Sequence, residues 1–189
     1  MVSYEEVKKN KAINTYIQKA DESLRALGYT EHSFAHVVNV AHTAEYILKT
    51  MGYDEHDIEI VKISAYLHDI GNLVNRVDHS QSGAVMAFRL LTNMDMEAED
   101  IAAVTTAIGN HDNGVPVNAV AAALILADKS DVRRSRVRNT DISTFDIHDR
   151  VNYSVTQSRL TISDDKKNIT LRLAIDTEYG SVMDYFEIF

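Results

Sequence analysis

Cysteine is absent from the 189 residues, and proline occurs once and glycine seven times. A chain without thiols cannot build a disulfide scaffold, a zinc finger, a Cys-ligated iron–sulfur cluster or a cysteine nucleophile. Nor is there an apolar run of the roughly 18–20 residues that a bilayer span requires. The opening MVSYEEVKKN lacks the apolar stretch of a secretory signal, so a cytoplasmic location away from membranes is expected. Internal repeats and low-complexity segments are missing. With 45% hydrophobic and 25% charged residues, the composition excludes disorder and fits a globular domain with a single core. Positive charge is also scarce. The net charge is −9, which argues against a long nucleic acid or an anionic membrane as partner. The exception is local: Lys129 to Arg138 carries five basic residues and one acidic residue, the pattern of a small anion site or of a solvated loop pairing with the acidic surface.

What is present is helical periodicity over the first two thirds. Ser3-x-x-Glu6 is a capping box opening a helix that runs to Gly28. A second helix is predicted over Glu31–Met51, with Phe34, Val37, Val38, Ala41, Ala44, Leu48 and Met51 inward and Gly52 as its stop. Further helices are predicted from Asp54 to Gly71, over His79–Leu91 and Glu97–Asn110, and over Val117–Lys129 after Pro116. Beyond Arg138 the pattern shifts toward alternation. Val151–Ile162 and Ile169–Ile175, joined by Ser163-Asp-Asp-Lys-Lys-Asn168, are predicted as a β-hairpin. This hairpin serves as cover for the core or as the edge of a homodimer. Thr177–Phe189 begins as a helix and stops on apolar residues without a cap, so the natural protein is expected to continue past Phe189. The expected fold class is therefore mainly α, a helical bundle with a small C-terminal β-hairpin. Tyr153, Tyr179, Tyr185, Phe186 and Phe189 are read as packing residues.

Four of the eight histidines stand in suggestive company: His36 in FAHVVNVA, His68 with Asp69 in SAYLHDIGN, His79 in DHSQSGA and His111 in IGNHDNG. Asp128 lies in LILADKS. Each sits at the end or along the inward face of a predicted helix, so a bundle can aim them at one pocket, as carboxylate-bridged two-metal bundles do. Imidazole and carboxylate donors without thiolate suit one or two ions of Fe, Mn, Co, Ni or Zn. His32, His42 and His56 are assigned to solvent or local hydrogen bonds, with His32 also placed to back His36 one turn away; His148 lies apart.

The order H…HD…H…H…D, with Ile70-Gly71 after the His-Asp pair and Ala-Asp-Lys closing a later helix, resembles the HD-domain superfamily of metal-dependent phosphohydrolases in its two-metal branch. The resemblance spans Glu31 to Arg138. It implies that residues 1–140 form a helical metal-binding core, with 141–189 a hairpin and the start of a helix in the same domain. It implies that His36, His68, Asp69 and Asp128 hold one metal, and that His79 and His111 hold a second with Asp69 as bridge. Asp69 is thereby also the catalytic residue. Two such ions clamp the attacking and leaving oxygens of a displacement and supply hydroxide at neutral pH. The implied substrate is a small phosphorylated molecule, a nucleotide among the candidates. Lys129, Arg133, Arg134 and Arg76 are the candidate phosphate binders. Two departures narrow this. Many two-metal relatives carry Lys shortly after the His-Asp pair, where this chain has Asn72, and a neutral amide supplies no charge. The GYP motif of the cyclic-dinucleotide branch is absent. Two alternatives share the same residues: a di-iron oxygenase of the same superfamily and a non-catalytic nucleotide-sensing module.

Overall fold

Ser3 opens the first helix as its spacing to Glu6 requires. Its hydroxyl accepts from the Glu6 backbone, and the Glu6 carboxylate accepts from the Ser3 N–H at 2.8 Å. The structure, a computed structural model, describes residues 2–189. The helix does not run through to Gly28. It stops as α1 (Tyr4–Lys9) and restarts as α2 (Lys11–Ala26). Asn10 makes the break: its backbone is extended and its Oδ1 accepts from the N–H groups of Ala12 and Ile13 at 3.0 and 3.2 Å. An asparagine side chain competes in this way with the helical hydrogen bonds of its own backbone, which periodicity alone does not reveal.

Five helices then supply the frame, and three of them are capped at the N-terminus by a side chain. Ser33 caps α3 (Phe34–Met51), which Gly52 ends at φ 94° with its N–H bonded to Leu48 O; only a glycine adopts that backbone without strain. The buried stripe of α3 is His36, Val37, Val40, Ala41, Ala44, Ile47 and Leu48, so Phe34 faces outward and Val40 and Ile47 take the core. Asp54 caps α4 (Glu55–Leu67), which ends at His68 and continues through Asp69 into a 3-10 turn, Ile70–Leu73. After this turn come α5 (His79–Thr92), α6 (Ala98–His111) and α7 (Ala119–Ser130), the last capped by Asn118 rather than entered at Pro116.

The C-terminal region is part helix where strand was expected. Ile147–Ser154 is α8, capped by Asp146, and β1 begins only at Val155. Val151 and Val155 are both buried; four residues apart, they fit a helical stripe as well as an alternating strand. β1 (Val155–Ile162) pairs antiparallel with β2 (Ile169–Ile175), with Ile162 opposite Ile169 and a bulge near Thr156. A last helix, α9 (Val182–Ile188), opens on a second capping box, Ser181 with Asp184. The fold is thus mainly α with one small hairpin. Its main core lies among α1 to α7, and a smaller one unites Val132, Val151, Val155 and Tyr185. No helix among the described residues is long and apolar enough to cross a membrane.

Candidate metal centre

The packing carries the ends of five helices to one place. His36 lies in the first turn of α3, His68 and Asp69 at the close of α4, His79 at the first residue of α5, His111 at the last of α6 and Asp128 near the end of α7. All four imidazoles and Asp69 are buried. His36 Nε2 lies 3.4 Å from Asp69 Oδ2 and 3.3 Å from Asp128 Oδ1. His68 Nε2 lies 3.2 and 3.6 Å from the same two atoms. The other oxygen of Asp69, Oδ1, stands 3.4 Å from His79 Nε2. Three overlapping groups could each hold a metal ion, with their donor atoms within 4.8 Å of one another: His36, His68 and Asp69; His68, His111 and Asp128; Asp69, His79 and His111. His68, Asp69 and His111 each belong to two of them and so connect all three.

The ring nitrogens on the far side show how these groups are aimed. Nδ1 of His68, His79 and His111 bonds to the carbonyls of Ala65, Arg76 and Ile108 at 2.7, 3.1 and 2.7 Å. A carbonyl only accepts, so each Nδ1 carries a hydrogen, and each ring in its neutral form turns an Nε2 lone pair inward. His36 Nε2, His68 Nε2 and Asp69 Oδ2 are buried with no hydrogen-bond partner. A cation among them would supply what each lacks, so the donor set fits a divalent metal.

Charge in the metal-free cluster is set by competition between burial and the carboxylates. Burial favours neutral imidazole at His36, and Arg136 adds to that, but Asp128, Asp131 and Asp69 prevail and push it up to about 9. His68 is likewise opposed by burial and carried by Asp69 and Asp128 to about 10. His111 moves the other way, pushed down to about 4 by burial and by its neighbour His68. Burial resists ionisation of Asp69, yet the adjacent His68 and His32 hold it well below the usual carboxylate range.

A pH dependence follows, with the sign set by His36 and His68. Both titrate higher in the fold than their ordinary 6.5, so the stability they contribute is complete below about 6.5 and is lost as pH rises through 9 and 10. His111 has the opposite sign and weakens the fold only as pH falls from 6.5 toward 4. The thermal midpoint of chelator-treated protein is expected to fall from neutral pH to about pH 10. A midpoint that holds or rises over that range would contradict this charge assignment. Metal binding must displace the same protons, so affinity for metal is expected to climb across the same interval.

Around the cluster lies a cavity of about 320 Å³. Arg76, Lys129 and Arg136 bring positive charge to its wall, and Tyr29, Ile188 and Phe189 bring apolar surface. Arg76 Nη1 reaches His79 Nε2 and the Asn72 side-chain oxygen Oδ1, each at 3.4 Å. Asn72 is buried and donates to Asp69 Oδ1 at 3.0 Å. The amide that departs from the expected lysine therefore orients Asp69 and tethers Arg76. Lys129 Nζ stands 3.3 Å from Asp128 Oδ2 and over the Phe189 ring.

Arg133 and Arg134, expected among the phosphate binders, are engaged elsewhere. Arg133 pairs with Glu31 at 2.9 Å and Asp131 at 3.2 Å and borders a separate cleft. Arg134 donates to Tyr153 O and Asp176 and lies over the rings of Tyr153 and Tyr179. Arg138 grips both Asp21 oxygens at 2.6 Å. Much of the basic segment is thus mortar between α2, α3 and the C-terminal region. Residues that sequence reasoning missed are Arg136, His148, Asn152 and Asp131, the first three lining the cavity. His32 also lines it, edge-on to His36 with ring centroids 5.6 Å apart. The only available signal was spacing: Asp131 follows Asp128 by three residues at the end of a helix.

The decisive comparison is with families. A family model for the HD domain matches residues 33–145, well over half of the chain. The chain belongs to the HD domain family. Within it, the chain is 28% identical to the uncharacterized protein MJ1020 of Methanocaldococcus jannaschii, over 94% of this chain and 77% of that protein. A crystal structure of a predicted HD superfamily hydrolase from an uncultured Thermotogales bacterium superposes with a TM-score of 0.53 at 26% identity, covering 65% of this chain and 68% of that one. The match runs from the cap of α3 to past α7, so it encloses every residue of the three metal-competent groups.

Proposed function

We propose that the protein is a metal-dependent phosphohydrolase acting on a small phosphorylated molecule. His36, His68, Asp69 and Asp128 would hold one divalent ion, and His79 and His111 would join Asp69 around a second. The observation that carries the reading is the set of three buried, unpartnered atoms, His36 Nε2, His68 Nε2 and Asp69 Oδ2. Each such orphan costs about 1–3 kcal/mol when nothing satisfies it. A divalent ion there would acidify a coordinated water and draw charge from a phosphoester oxygen. The hydrolase relative from the Thermotogales bacterium supports the same class.

The chain's own residues do the rest. Asn72 fixes the direction of Asp69 so that its two oxygens serve different groups. Arg76, Lys129 and Arg136 line the cavity and neutralise the phosphate. Arg76, tethered through Asn72, supplies the charge that an amide at that position cannot. Arg76→Ala and Lys129→Ala are each expected to raise KM for a phosphorylated substrate by about 10-fold or more, since a hydrogen bond to a charged group contributes about 1.5–3 kcal/mol. Arg134→Ala is expected to leave KM unchanged. The reverse pattern in steady-state kinetics would return the phosphate site to the basic segment.

The direct test is elemental analysis of purified protein, followed by a phosphate-ester panel that includes nucleotides, with Mn²⁺, Fe²⁺, Co²⁺ and Ni²⁺. Bound transition metal and phosphate release are expected. Protein that retains no metal, or that consumes oxygen while releasing no phosphate, overturns the reading.

A further inference from the structure

One buried carboxylate stands behind the cluster rather than in it. Asp131 follows α7, and its Oδ2 accepts from His36 Nδ1 at 2.7 Å. Its Oδ1 accepts from Asn39 Nδ2 at 2.6 Å and from Arg133 Nε at 3.2 Å. Arg133 is held in turn by Glu31 at 2.9 Å, and the Asp131 backbone carbonyl accepts from Arg136 Nη1 at 2.8 Å. His36 is thereby unlike its three companions. Their Nδ1 atoms rest on backbone carbonyls in the turn just before each ring, whereas His36 depends on a side chain 95 residues away.

We propose that Asp131 is a positioning residue that holds His36 in its Nδ1–H tautomer and so keeps its Nε2 lone pair turned to the metal. The proposal rests on the metal-binding reading above. Neutral imidazole has one N–H and one lone pair, and a partner that can only accept dictates which nitrogen has which. The geometry makes a distinctive demand on substitution. In Asp131→Asn the new amide meets two donors, Asn39 and Arg133, on one side and His36 on the other. Its oxygen satisfies the two donors, and its NH₂ then points at His36 Nδ1. That ring nitrogen becomes an acceptor, the hydrogen moves to Nε2, and the metal-facing lone pair is gone. Asp131→Ala removes the orienting partner but forces no tautomer. The isosteric variant is therefore the more damaging one, the opposite of what a packing role requires.

Zn²⁺ affinity of the metal-stripped full chain, measured by competition with a chromophoric chelator, tests this without recourse to activity. Asp131→Ala is expected to weaken binding by about 10–100-fold, as loss of a carboxylate behind a ligating histidine does, and Asp131→Asn by more. The double variant Asp131→Asn with Asn39→Asp gives the amide an acceptor at position 39, a carboxylate to which the Arg133 guanidinium can also turn, and returns the amide oxygen to His36. It is expected to recover most of the affinity. Long-range ¹H–¹⁵N spectra of the Zn²⁺-loaded parent are expected to show hydrogen on His36 Nδ1. Far-UV dichroism and thermal melts establish that each variant folds; if Asp131→Ala does not, the isosteric and double variants decide. Parent-like affinity in Asp131→Asn, or no recovery in the double variant, overturns the proposal while leaving the metal site standing. Failure of the parent itself to bind Zn²⁺ sinks the metal reading and this proposal together.

Discussion

Asp69→Ala is expected to strip the protein of metal and of turnover at once. His68 and His111 also belong to two metal-competent groups, but Asp69 meets its groups through two separate oxygens. Its Oδ2 lies 3.2 and 3.4 Å from the Nε2 atoms of His68 and His36, and its Oδ1 lies 3.4 Å from that of His79. Its loss therefore disables two of the three metal-competent groups and leaves the remaining imidazoles facing one another with less negative charge between them. His79→Ala touches only one group, and there the expected loss is one ion of the two. Elemental analysis of the two variants, alongside phosphate release, distinguishes these outcomes. Turnover that persists in metal-depleted Asp69→Ala protein would mean a contaminant or a site elsewhere in the molecule.

Gly71→Ala is expected to be as disruptive by a different route. A methyl group built on Gly71 would lie 2.0 Å from the His79 carbonyl oxygen, 2.4 Å from the Gly83 amide nitrogen and 2.8 Å from Ser82 Oγ. Two of these are backbone atoms of α5, which cannot yield without carrying His79 away from Asp69. The cost is expected to exceed the about 1–3 kcal/mol of ordinary overpacking and to appear both as a lowered denaturation midpoint and as lost metal. Gly109 in α6 provides the contrast, because its nearest neighbour would be the Ala84 methyl at 3.7 Å. Gly109→Ala is expected to be neutral or to stabilise by up to about 1 kcal/mol, since alanine is the better helix former. Equal effects at the two positions would refute the packing argument.

The contrast at Gly71 also marks what could be read from the residues in order. The sequence pattern ends a helix at Gly71, whereas α4 ends at Leu67 and Gly71 lies within the 3-10 turn that follows; that α5 lies against it was not legible, because a close approach involves two segments and the pattern describes one. Arg133 and Arg134 make the same point. Their nearness in sequence to Asp128 pointed to phosphate, yet long flexible side chains go where acceptors are, and Glu31, Asp131 and Asp176 claimed them. Arg76, named among the candidates, and Arg136, not singled out, line the cavity instead.

By itself, the sequence determined the local structure and the kinds of atoms on offer. Capping residues, helical stripes and turn glycines act within a few residues of themselves, so α3 to α7 could be placed with small errors, and the absence of thiols restricted any metal donors to imidazole and carboxylate. The break at Asn10 was missed because it hinges on one side chain's competition with backbone hydrogen bonds, and the helix Ile147–Ser154 was missed because Val151 and Val155 fit either period. Only the tertiary structure decided which polar groups face one another. His36 and Asp131 meet across 95 positions, and Arg138 and Asp21 across 117. Such pairings are chosen by how whole helices pack, and helix packing is driven by buried apolar area that is indifferent to which acid ends up beside which base.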